Sequence, residues 1–404
     1  MGKPRIRFKG FDNDWEQRKF SEFVNNVARK NKDNLDLEPY AVTNDRGFIA
    51  QKDAHDDFGY MKETDRRAYN IVPPNSFAYN PARINVGSLG YYTGSENVIV
   101  SSLYEVFQTE DYIDDRFLWH WLKSNHFPKW IEKLQEGSVR LYFYFDKLVQ
   151  CQMMVPTIKE QKQISTYFDS IDHLITLHQR ECEDTKKLKK YMLQKMFPQN
   201  VSKVPEIRFK GFTDDWEQRK VSDVAKIIAG GTPSTKENSY WEPKEIPWLS
   251  SGEVHKKYIT FTDDMISQIG MNNSSAKMVA KDSVLIALAG QGKTRGTVAI
   301  NRIPLTTNQS IAAMTFNEDF IPEFVFYNLE NRYDELRRMS SGDGSRGGLN
   351  KQLVGDIEIP YTEKEEQERI GSFFESLDNL ITLHQNKCDE LKKIKKYMLQ
   401  NMFV

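Results

Sequence analysis

Two regions of the sequence carry side chains that could contact a nucleic acid. The first, DRRAYNIVPPNSFAYNPARIN, runs from Asp65 to Asn85 and interleaves basic, amide and aromatic residues. The second comprises Gly-, Ser- and Thr-rich loops between Thr232 and Arg346. Arginine, lysine, asparagine and glutamine can hydrogen-bond to base edges, whereas serine, threonine and glycine amides can hold phosphates. The candidate contact residues are Arg66, Arg67, Tyr69, Asn70, Tyr79, Asn80, Arg83, Asn85, Arg140, Thr232, Ser234, Lys236, Lys293, Arg295, Arg302, Asn308, Gln309, Ser345 and Arg346.

Motifs that would support catalysis are incomplete. AGQGKT, at Ala289–Thr294, is similar to a phosphate-binding loop, but Ala287 stands where that motif needs its first glycine. VPPN, at Val72–Asn75, is similar to the Asn-Pro-Pro-aromatic site of amino-methyltransferases, but its asparagine follows the prolines. Neither region shows a Ser/His/Asp set, a metal-ligand spacing or a pair of carboxylates suited to acid–base chemistry. The sequence therefore favours a binding protein with no cofactor of its own.

The composition is ordinary for a soluble globular chain. The chain has 404 residues, of which 39% are hydrophobic and 28% are charged. This length predicts two or three domains. No apolar run approaches the roughly 18 residues of a membrane helix. The N-terminus MGKPRIRFKG lacks the apolar core of a signal peptide, so we expect a cytoplasmic protein with no membrane partner. The net charge of −1 argues against uniform coating by nucleic acid but allows local segregation of charge.

The chain consists of two tandem halves. PRIRFKGFDNDWEQRK (Pro4–Lys19) and PEIRFKGFTDDWEQRK (Pro205–Lys220) agree at 13 of 16 positions. SIDHLITLHQRECEDTKKLKKYMLQKMF (Ser170–Phe197) and SLDNLITLHQNKCDELKKIKKYMLQNMF (Ser376–Phe403) agree at 19 of 28. The segments between them, 20–169 and 221–375, share almost no sequence. Since drift after a simple duplication would erode both parts alike, we interpret the halves as doing one task on two different targets.

The repeated blocks predict two long helices. Thr157 with Glu160, and Thr362 with Glu365, have the capping-box spacing of a helix start. Downstream, apolar or small residues recur every three or four positions and predict a coiled-coil seam. Its predicted positions are Ile164, Phe168, Ile171, Ile175, His178, Cys182, Thr185, Leu188, Met192 and Met196, repeated as Ile370, Phe374, Leu377, Ile381, His384, Cys388, Leu391, Met398 and Met402. Because the seams are nearly identical, we predict that the two helices pack antiparallel.

Other residues of the repeat receive structural interpretations. Trp15 and Trp216 are predicted to be buried anchors that seat each insert against the helices. The cysteines Cys151, Cys182 and Cys388 form no CxxC pair and are predicted to be buried thiols. The lysines at 186–190 and 392–396 are interpreted as a solvated face, with contact to a partner or to DNA backbone as the alternative.

The inserts contain short β-prone runs between polar loops, such as Ser283–Ala289, Thr297–Ile300 and Ile311–Phe316. The predicted fold class is α+β (mixed α/β). It comprises two loop-rich domains separated by two long antiparallel helices that form a coiled coil, in a pseudo-twofold tandem repeat.

This arrangement resembles the specificity subunit of type I restriction–modification systems. The resemblance rests on GGTPS (Gly230–Ser234), IPW (Ile246–Trp248), TTNQSI (Thr306–Ile311) and the duplicated Pro…Glu-Gln…Ile…Leu/Ile-Asp pattern of Pro156–Asp172 and Pro360–Asp378. It implies that residues 1–155 and 201–359 are target-recognition domains, each reading half of a split DNA sequence. Residues 156–200 and 360–404 would then be helical spacers. The first insert lacks GGTPS, which we interpret as a different half-site.

The resemblance also implies a set of partners. These are double-stranded DNA, two modification (methyltransferase) subunits and restriction (translocase/endonuclease) subunits. Such a subunit has no catalytic site, and S-adenosylmethionine, ATP and Mg are expected in the partner subunits, where adenine N6 is methylated.

Two other functions stay open. A scaffold with two interaction domains on a coiled coil predicts no salt-sensitive DNA affinity. A self-sufficient methyltransferase or nuclease predicts turnover without a second polypeptide.

Overall fold

The computed structural model describes residues 2–44, 47–54, 65–137, 141–199, 202–290, 293–339 and 348–404. The chain divides into two compact units, Met1–Gln179 with Asn386–Val404 (the first unit) and Arg180–Gln385 (the second unit). Each unit contains one insert, part of the helix that follows it and part of the helix of the other half.

The first unit is built on short strands with a few helices beside them. A four-stranded sheet has the order β2-β10-β7-β8, a three-stranded sheet has the order β3-β6-β9, and β4-β5 and β1-β11 form two-stranded pairs. The strands are β1 (Glu16–Lys19), β2 (Val24–Asn26), β3 (Arg29–Lys30), β4 (Tyr40–Thr43), β5 (Gly47–Ala50), β6 (Asn70–Val72), β7 (Ser76–Tyr79), β8 (Leu89–Tyr92), β9 (Val98–Val100), β10 (Glu105–Thr109) and β11 (Gln152–Val155). The helices are α1 (Gln51–Ala54), α2 (Asp115–Leu122), α3 (His126–Leu134), α4 (Phe145–Leu148) and the long α5 (Ile158–Lys195).

The second unit has a different sheet. Its five-stranded sheet has the order β13-β20-β17-β18-β15, beside a three-stranded sheet β16-β14-β19 and the pair β12-β21. The strands are β12 (Glu217–Lys220), β13 (Ala225–Ala229), β14 (Ile246–Leu249), β15 (Tyr258–Ile259), β16 (Asp264–Ile266), β17 (Val284–Ala287), β18 (Val298–Asn301), β19 (Thr306–Thr307), β20 (Ile311–Phe316) and β21 (Glu358–Tyr361). The helices are α6 (Val221–Val224), α7 (Gln268–Asn272), α8 (Pro322–Asn331), α9 (Tyr333–Arg338), α10 (Lys351–Gly355) and the long α11 (Lys364–Asn401).

The central strands of the second unit are apolar along their whole length because both faces are covered. In β17, Val284 and Ile286 pack into the core that contains the α8 residue Phe324, whereas Leu285 and Ala287 pack into a second core. A sheet buried on both faces reads as a continuous hydrophobic run rather than as an alternation. This explains the sequence SVLIALAG, and the mixed α/β class predicted from such runs is confirmed.

The long helices begin at the predicted sites. The amide of Glu160 donates to the hydroxyl of Thr157 at 3.4 Å, as a cap requires. At the second start, Glu365 pairs with Arg369 instead, and it is Glu366 that hydrogen-bonds to Thr362. The predicted pairing of Thr362 with Glu365 is therefore wrong, and the contact of Thr362 with Glu366 joins two side chains and is not a capping box.

Within each unit, the beginning of one long helix packs on the end of the other. In the first unit, Lys395 of α11 pairs with Asp172 of α5 at 2.5 Å. In the second unit, the equivalent residues of the repeat pair as Lys189 of α5 with Asp378 of α11 at 2.7 Å. Antiparallel packing of helix segments is therefore present in each unit.

The seam prediction fails at one position. Most predicted seam residues are buried or half-buried, but Leu188 is 46% exposed and its neighbour Lys189 is buried instead. Lys189 lies inside because its ammonium group is paired by Asp378 and by Glu330. The interpretation of the first lysine cluster as a solvated face is therefore wrong for Lys189. The three cysteines are buried, as predicted.

Candidate nucleic-acid interface

Each repeated opening segment is fastened to a buried glutamate at the start of a long helix. In the first unit, the Arg7 guanidinium binds Glu160 at 2.7 Å, and the Trp15 indole N–H points to the same carboxylate. In the second unit, Arg208 binds Glu366 at 2.6 Å and Trp216 donates to it at 3.0 Å. Both tryptophans are buried, as predicted.

The glutamine next to each of these glutamates holds the insert. Gln161 accepts a hydrogen bond from the amide of Asp114, at the start of α2, at 2.8 Å. Gln367 accepts one from the amide of Ile321, at the start of α8, at 3.0 Å. We call Glu160 with Gln161, and Glu366 with Gln367, the Glu-Gln anchors. Two inserts of unlike sequence are thus carried on the same anchor.

In the second unit, the predicted loops meet at one end of the five-stranded sheet. Ala229 at the end of β13 pairs with Ala312, and Ala287 at the end of β17 pairs with Ile311 of β20, so these strand ends share an edge. The loops 230–236, 288–290 with 293–297, and 308–310 extend from this edge. The Thr232 hydroxyl donates to the Gln309 side chain at 2.5 Å and joins two of them.

The two glycines of GGTPS allow these loops to touch. A Cβ atom on Gly230 would lie 2.2 Å from the carbonyl oxygen of Thr307 and 2.3 Å from that of Asn308. One on Gly231 would lie 2.6 Å from the amide of Ala276. Only glycine permits this backbone approach. The exposed side chains of Ser234, Lys236 and Gln309, with the half-buried Thr232 and Asn308, therefore form one surface.

Two more predicted residues of the second unit lie at this end of the sheet, and one lies at the opposite end. Lys293 is exposed and Arg295 half-buried on the loop after β17. Arg302 follows β18 at the opposite end of the sheet and is paired with Asp282 at 2.9 Å and with Glu323 at 2.7 Å. Because those carboxylates already occupy its guanidinium, we withdraw Arg302 from the candidate set. Ser345 and Arg346, like Arg140 of the first unit, lie outside the described residues.

In the first unit, four predicted residues line one cleft of about 960 Å³, which we call the reading cleft. Asn80, Arg83 and Asn85 lie on the turn after β7, and Asn70 of β6 lies deeper. The buried Asn70 side chain donates to the carbonyl oxygen of Tyr104 at 2.8 Å, so it supports the wall rather than reaching out. Arg83 and Asn85 are exposed.

The other predicted residues that the structure describes in this unit do not line the reading cleft. Tyr79 is fully buried in the hydrophobic core, 6.3 Å from Phe107 between ring centres, and we withdraw it because a buried ring cannot reach a base. Arg66, Arg67 and Tyr69 lie on the turn before β6.

Sequence reasoning missed the aromatic wall of the reading cleft. Tyr142 and Tyr144 stack with ring centres 5.4 Å apart and an interplanar angle of 1°. Leu103 lines the same cleft and is 69% exposed. Aromatic rings offered to solvent in this way can stack with bases. The signal was the alternation in LYFYF, where Tyr142 and Tyr144 face outward and Phe143 faces the core.

Across the described ranges, no group of three or more His, Cys, Asp and Glu side chains is arranged to hold a metal ion. No helix in the described part of the chain is long and apolar enough to cross a membrane.

The sequence matches the family described as the type I restriction modification DNA specificity domain over residues 12–185 and 213–393. Because the matches cover most of the chain and fall once on each half, the chain belongs to this family of DNA specificity domains.

Individual relatives agree with this assignment. The type I restriction enzyme MjaIX specificity subunit of Methanocaldococcus jannaschii is 27% identical over 194 residues, 47% of this chain and 44% of that protein. The putative MjaX specificity subunit of the same organism is 23% identical over 419 residues, 96% of this chain and 92% of that protein. The crystal structure of the M. genitalium type I S subunit has a TM-score of 0.62 at 15% identity, covering 100% of this chain and 99% of that one, and so shares the fold.

Proposed function

We propose that this protein is the DNA sequence-recognition subunit of a type I restriction–modification complex, in which each insert reads one half of a bipartite target. One observation carries the proposal. Two inserts with unlike polar loops are held at a helix start by equivalent Glu-Gln anchors, so the frame is kept while the loops change. In this proposal the second unit reads with the loops around Thr232 and Gln309, and the first unit reads with the reading cleft.

The long helices provide a reason for two modification subunits. In the first unit, Leu174, Leu177, Ile394 and Tyr397 are exposed on α5 and α11, and in the second unit the equivalent residues Leu380, Leu383, Leu188 and Tyr191 are exposed. Apolar side chains kept exposed in duplicate are typical of a surface that binds the same partner twice. We therefore propose one modification subunit on each set, with restriction subunits joining the complex.

The chain itself is proposed to be non-catalytic and without a cofactor. S-adenosylmethionine, ATP and Mg would belong to the modification and restriction subunits, and adenine N6 would be the methylated atom. The helical segments would set the length of the unread spacer between half-sites. The complex would work in the cytoplasm, where its DNA is.

The test is methylome sequencing after co-expression of this chain with a type I modification subunit, against cells that lack the chain. We expect a new bipartite adenine-methylated motif with a fixed spacer. Exchange of residues 221–375 for another recognition domain should change one half of the motif and leave the other intact. No new methylation despite a purified complex would favour the scaffold, and a change in both halves would refute modular reading.

A further inference from the structure

The two units differ in charge at one equivalent position beside the long helices. Lys123 of the first unit and Glu330 of the second each lie nine residues after the amide held by a Glu-Gln anchor, Asp114 and Ile321. Their surroundings are matched, since Phe117 packs on Phe403 and Phe324 packs on Phe197, at 5.4 and 5.3 Å between ring centres. The same site is thus basic in one unit and acidic in the other.

In the second unit the charges at this site are balanced. Glu330 pairs with Lys189 at 2.8 Å and with Lys257 at 2.5 Å, and Asp378 pairs with Lys189 at 2.7 Å. Two ammonium groups thus meet two carboxylates. A half-buried cluster of this kind needs no further ion, because each charge that has lost water has an opposite charge in contact.

In the first unit the charges are not balanced. Asp172 pairs with Lys395, the equivalent of Lys189, and no carboxylate in the described part of the chain pairs with Lys123. Among the described residues, the Lys123 ammonium contacts the carbonyl oxygen of Leu89 at 3.5 Å and the ring of Trp119 at 4.5 Å. Burial and the nearby Lys395 lower the pKa of Lys123 to about 8, against a smaller opposing attraction from Asp172. A desolvated cation with no carboxylate in contact is costly unless an anion is supplied.

These lysines line an open cleft of about 1,020 Å³, which we call the basic cleft. Lys392 and Lys396, both exposed on α11, add two more positive charges, and neither forms an ion pair with a described residue. Asp172 is the one acidic residue among the described lining residues. Tyr91, Tyr92 and Trp119 form its aromatic side. Positive charge is therefore concentrated here in a chain whose net charge is −1.

We propose that the basic cleft, defined by Lys123, Lys392, Lys395 and Lys396, binds phosphate groups of the DNA backbone, and that the second unit lacks an equivalent site. This proposal rests on the proposed function. A phosphodiester carries one negative charge per nucleotide, which matches the unbalanced lysines. An open cleft admits a polymer, and aromatic walls beside lysines suit sugar and base. In the second unit, Lys189 and Lys186, the equivalents of Lys395 and Lys392, pair with carboxylates of their own unit, and Glu330 stands in place of Lys123.

The test compares equivalent residues of the repeat in the full-length chain. Lys392→Gln with Lys396→Gln removes two charges from the basic cleft, and Lys186→Gln with Lys190→Gln removes the same two charges from the second unit. Affinity for a fluorescein-labelled random-sequence duplex is measured by anisotropy across a NaCl series. The slope of log affinity against log salt should become shallower by about one for each phosphate that the protein no longer binds, so by about two in the cleft variant. The matched variant should keep the wild-type slope.

A third variant, Lys123→Glu, copies the second unit and should fold, because Glu330 shows that this site accepts a glutamate beside the equivalent lysine. It should retain the wild-type Tm, and its slope of log affinity against log salt should also be shallower than that of the wild type. Equal slopes in the two double variants would overturn the proposal while leaving the proposed function intact. No DNA binding by the wild type would instead refute the proposed function and this site with it. Stabilisation by inorganic phosphate, abolished in Lys123→Glu without any change in DNA slope, would identify a free-anion site and overturn the DNA assignment.

Discussion

Replacement of Glu366 by glutamine should weaken the attachment of the second repeated segment, Pro205–Lys220, to the start of α11. The Glu366 carboxylate is fully buried and binds Arg208 through two nitrogens at 2.6 and 2.8 Å and Trp216 at 3.0 Å. The substitution keeps the shape but leaves the guanidinium of Arg208, which is 11% exposed, with a neutral partner. Breaking a buried ion pair on one side costs about 3–5 kcal/mol. Since glutamine retains one acceptor oxygen, we expect about 3 kcal/mol.

The neighbouring glutamate supplies the control. Glu365 pairs with Arg369, but both side chains are about half exposed or more, at 65% and 49%. Exposed pairs of this spacing contribute about 0.3–0.5 kcal/mol, so Glu365→Gln should be nearly silent.

Thermal unfolding and equilibrium urea unfolding, followed by tryptophan fluorescence, provide the measurement. A loss of about 3 kcal/mol in a unit of this size should lower its Tm by about 6–12 °C. Because the units can unfold separately, hydrogen exchange should show the loss in the second unit and not around Glu160. If Glu366→Gln and Glu365→Gln lowered stability equally, the buried carboxylate would not be the fastening point.

Three further predictions concern the reading surfaces and the helices. Gly230→Ala places a Cβ atom 2.2 Å from the Thr307 carbonyl oxygen, so by analogy with overpacking it should lower the free energy of unfolding by about 1–3 kcal/mol and weaken DNA binding. Gly252→Ala is the control, because its Cβ atom would lie 3.6 Å from the nearest atom, and it should change neither property. Urea unfolding curves and DNA-binding isotherms measure the two effects. Raising the pH from 7 to 9 should deprotonate Lys123 and should therefore weaken DNA binding in the wild type but not in Lys123→Gln. The charged and titratable groups that line the cleft with Lys123 are Lys395, Asp172, Lys392, Lys396, Tyr91 and Tyr92. Over that pH range the unfolded chain retains the Lys123 proton longer than the folded chain, so the free energy of unfolding should rise with pH relative to Lys123→Gln, and a parallel titration of both proteins would contradict the assignment. Insertion of two helical turns beside both Cys182 and Cys388 adds about 10 Å of helix, so the spacer of the methylated motif should lengthen by about three base pairs with both halves retained; an unchanged spacer would exclude a measuring role for the helices.

Several features were predictable because they depend on short-range pattern. The repeat, the long helices, the mixed α/β class and the buried Trp15 and Trp216 follow from identity between halves and from apolar spacing. Grouping of Thr232 with Gln309 was not predictable, because it depends on the register that brings β13, β17 and β20 to a common edge. Arg302 and Arg295 look alike in sequence, yet the strand β18 between them carries them to opposite ends of the sheet.

The lysines of the long helices show most clearly what the sequence alone leaves undetermined. The sequence by itself determined that the two halves share a frame and differ in their loops, because the halves can be compared residue by residue. It could not separate Lys189 from Lys190, because spacing on one helix leaves their partners undefined. Only the tertiary structure decided that Lys189 meets Asp378 and Glu330 while Lys395 meets Asp172 and stands near Lys123. The physical reason is that the state of a buried charge is set by groups distant in sequence, which folding alone brings within contact.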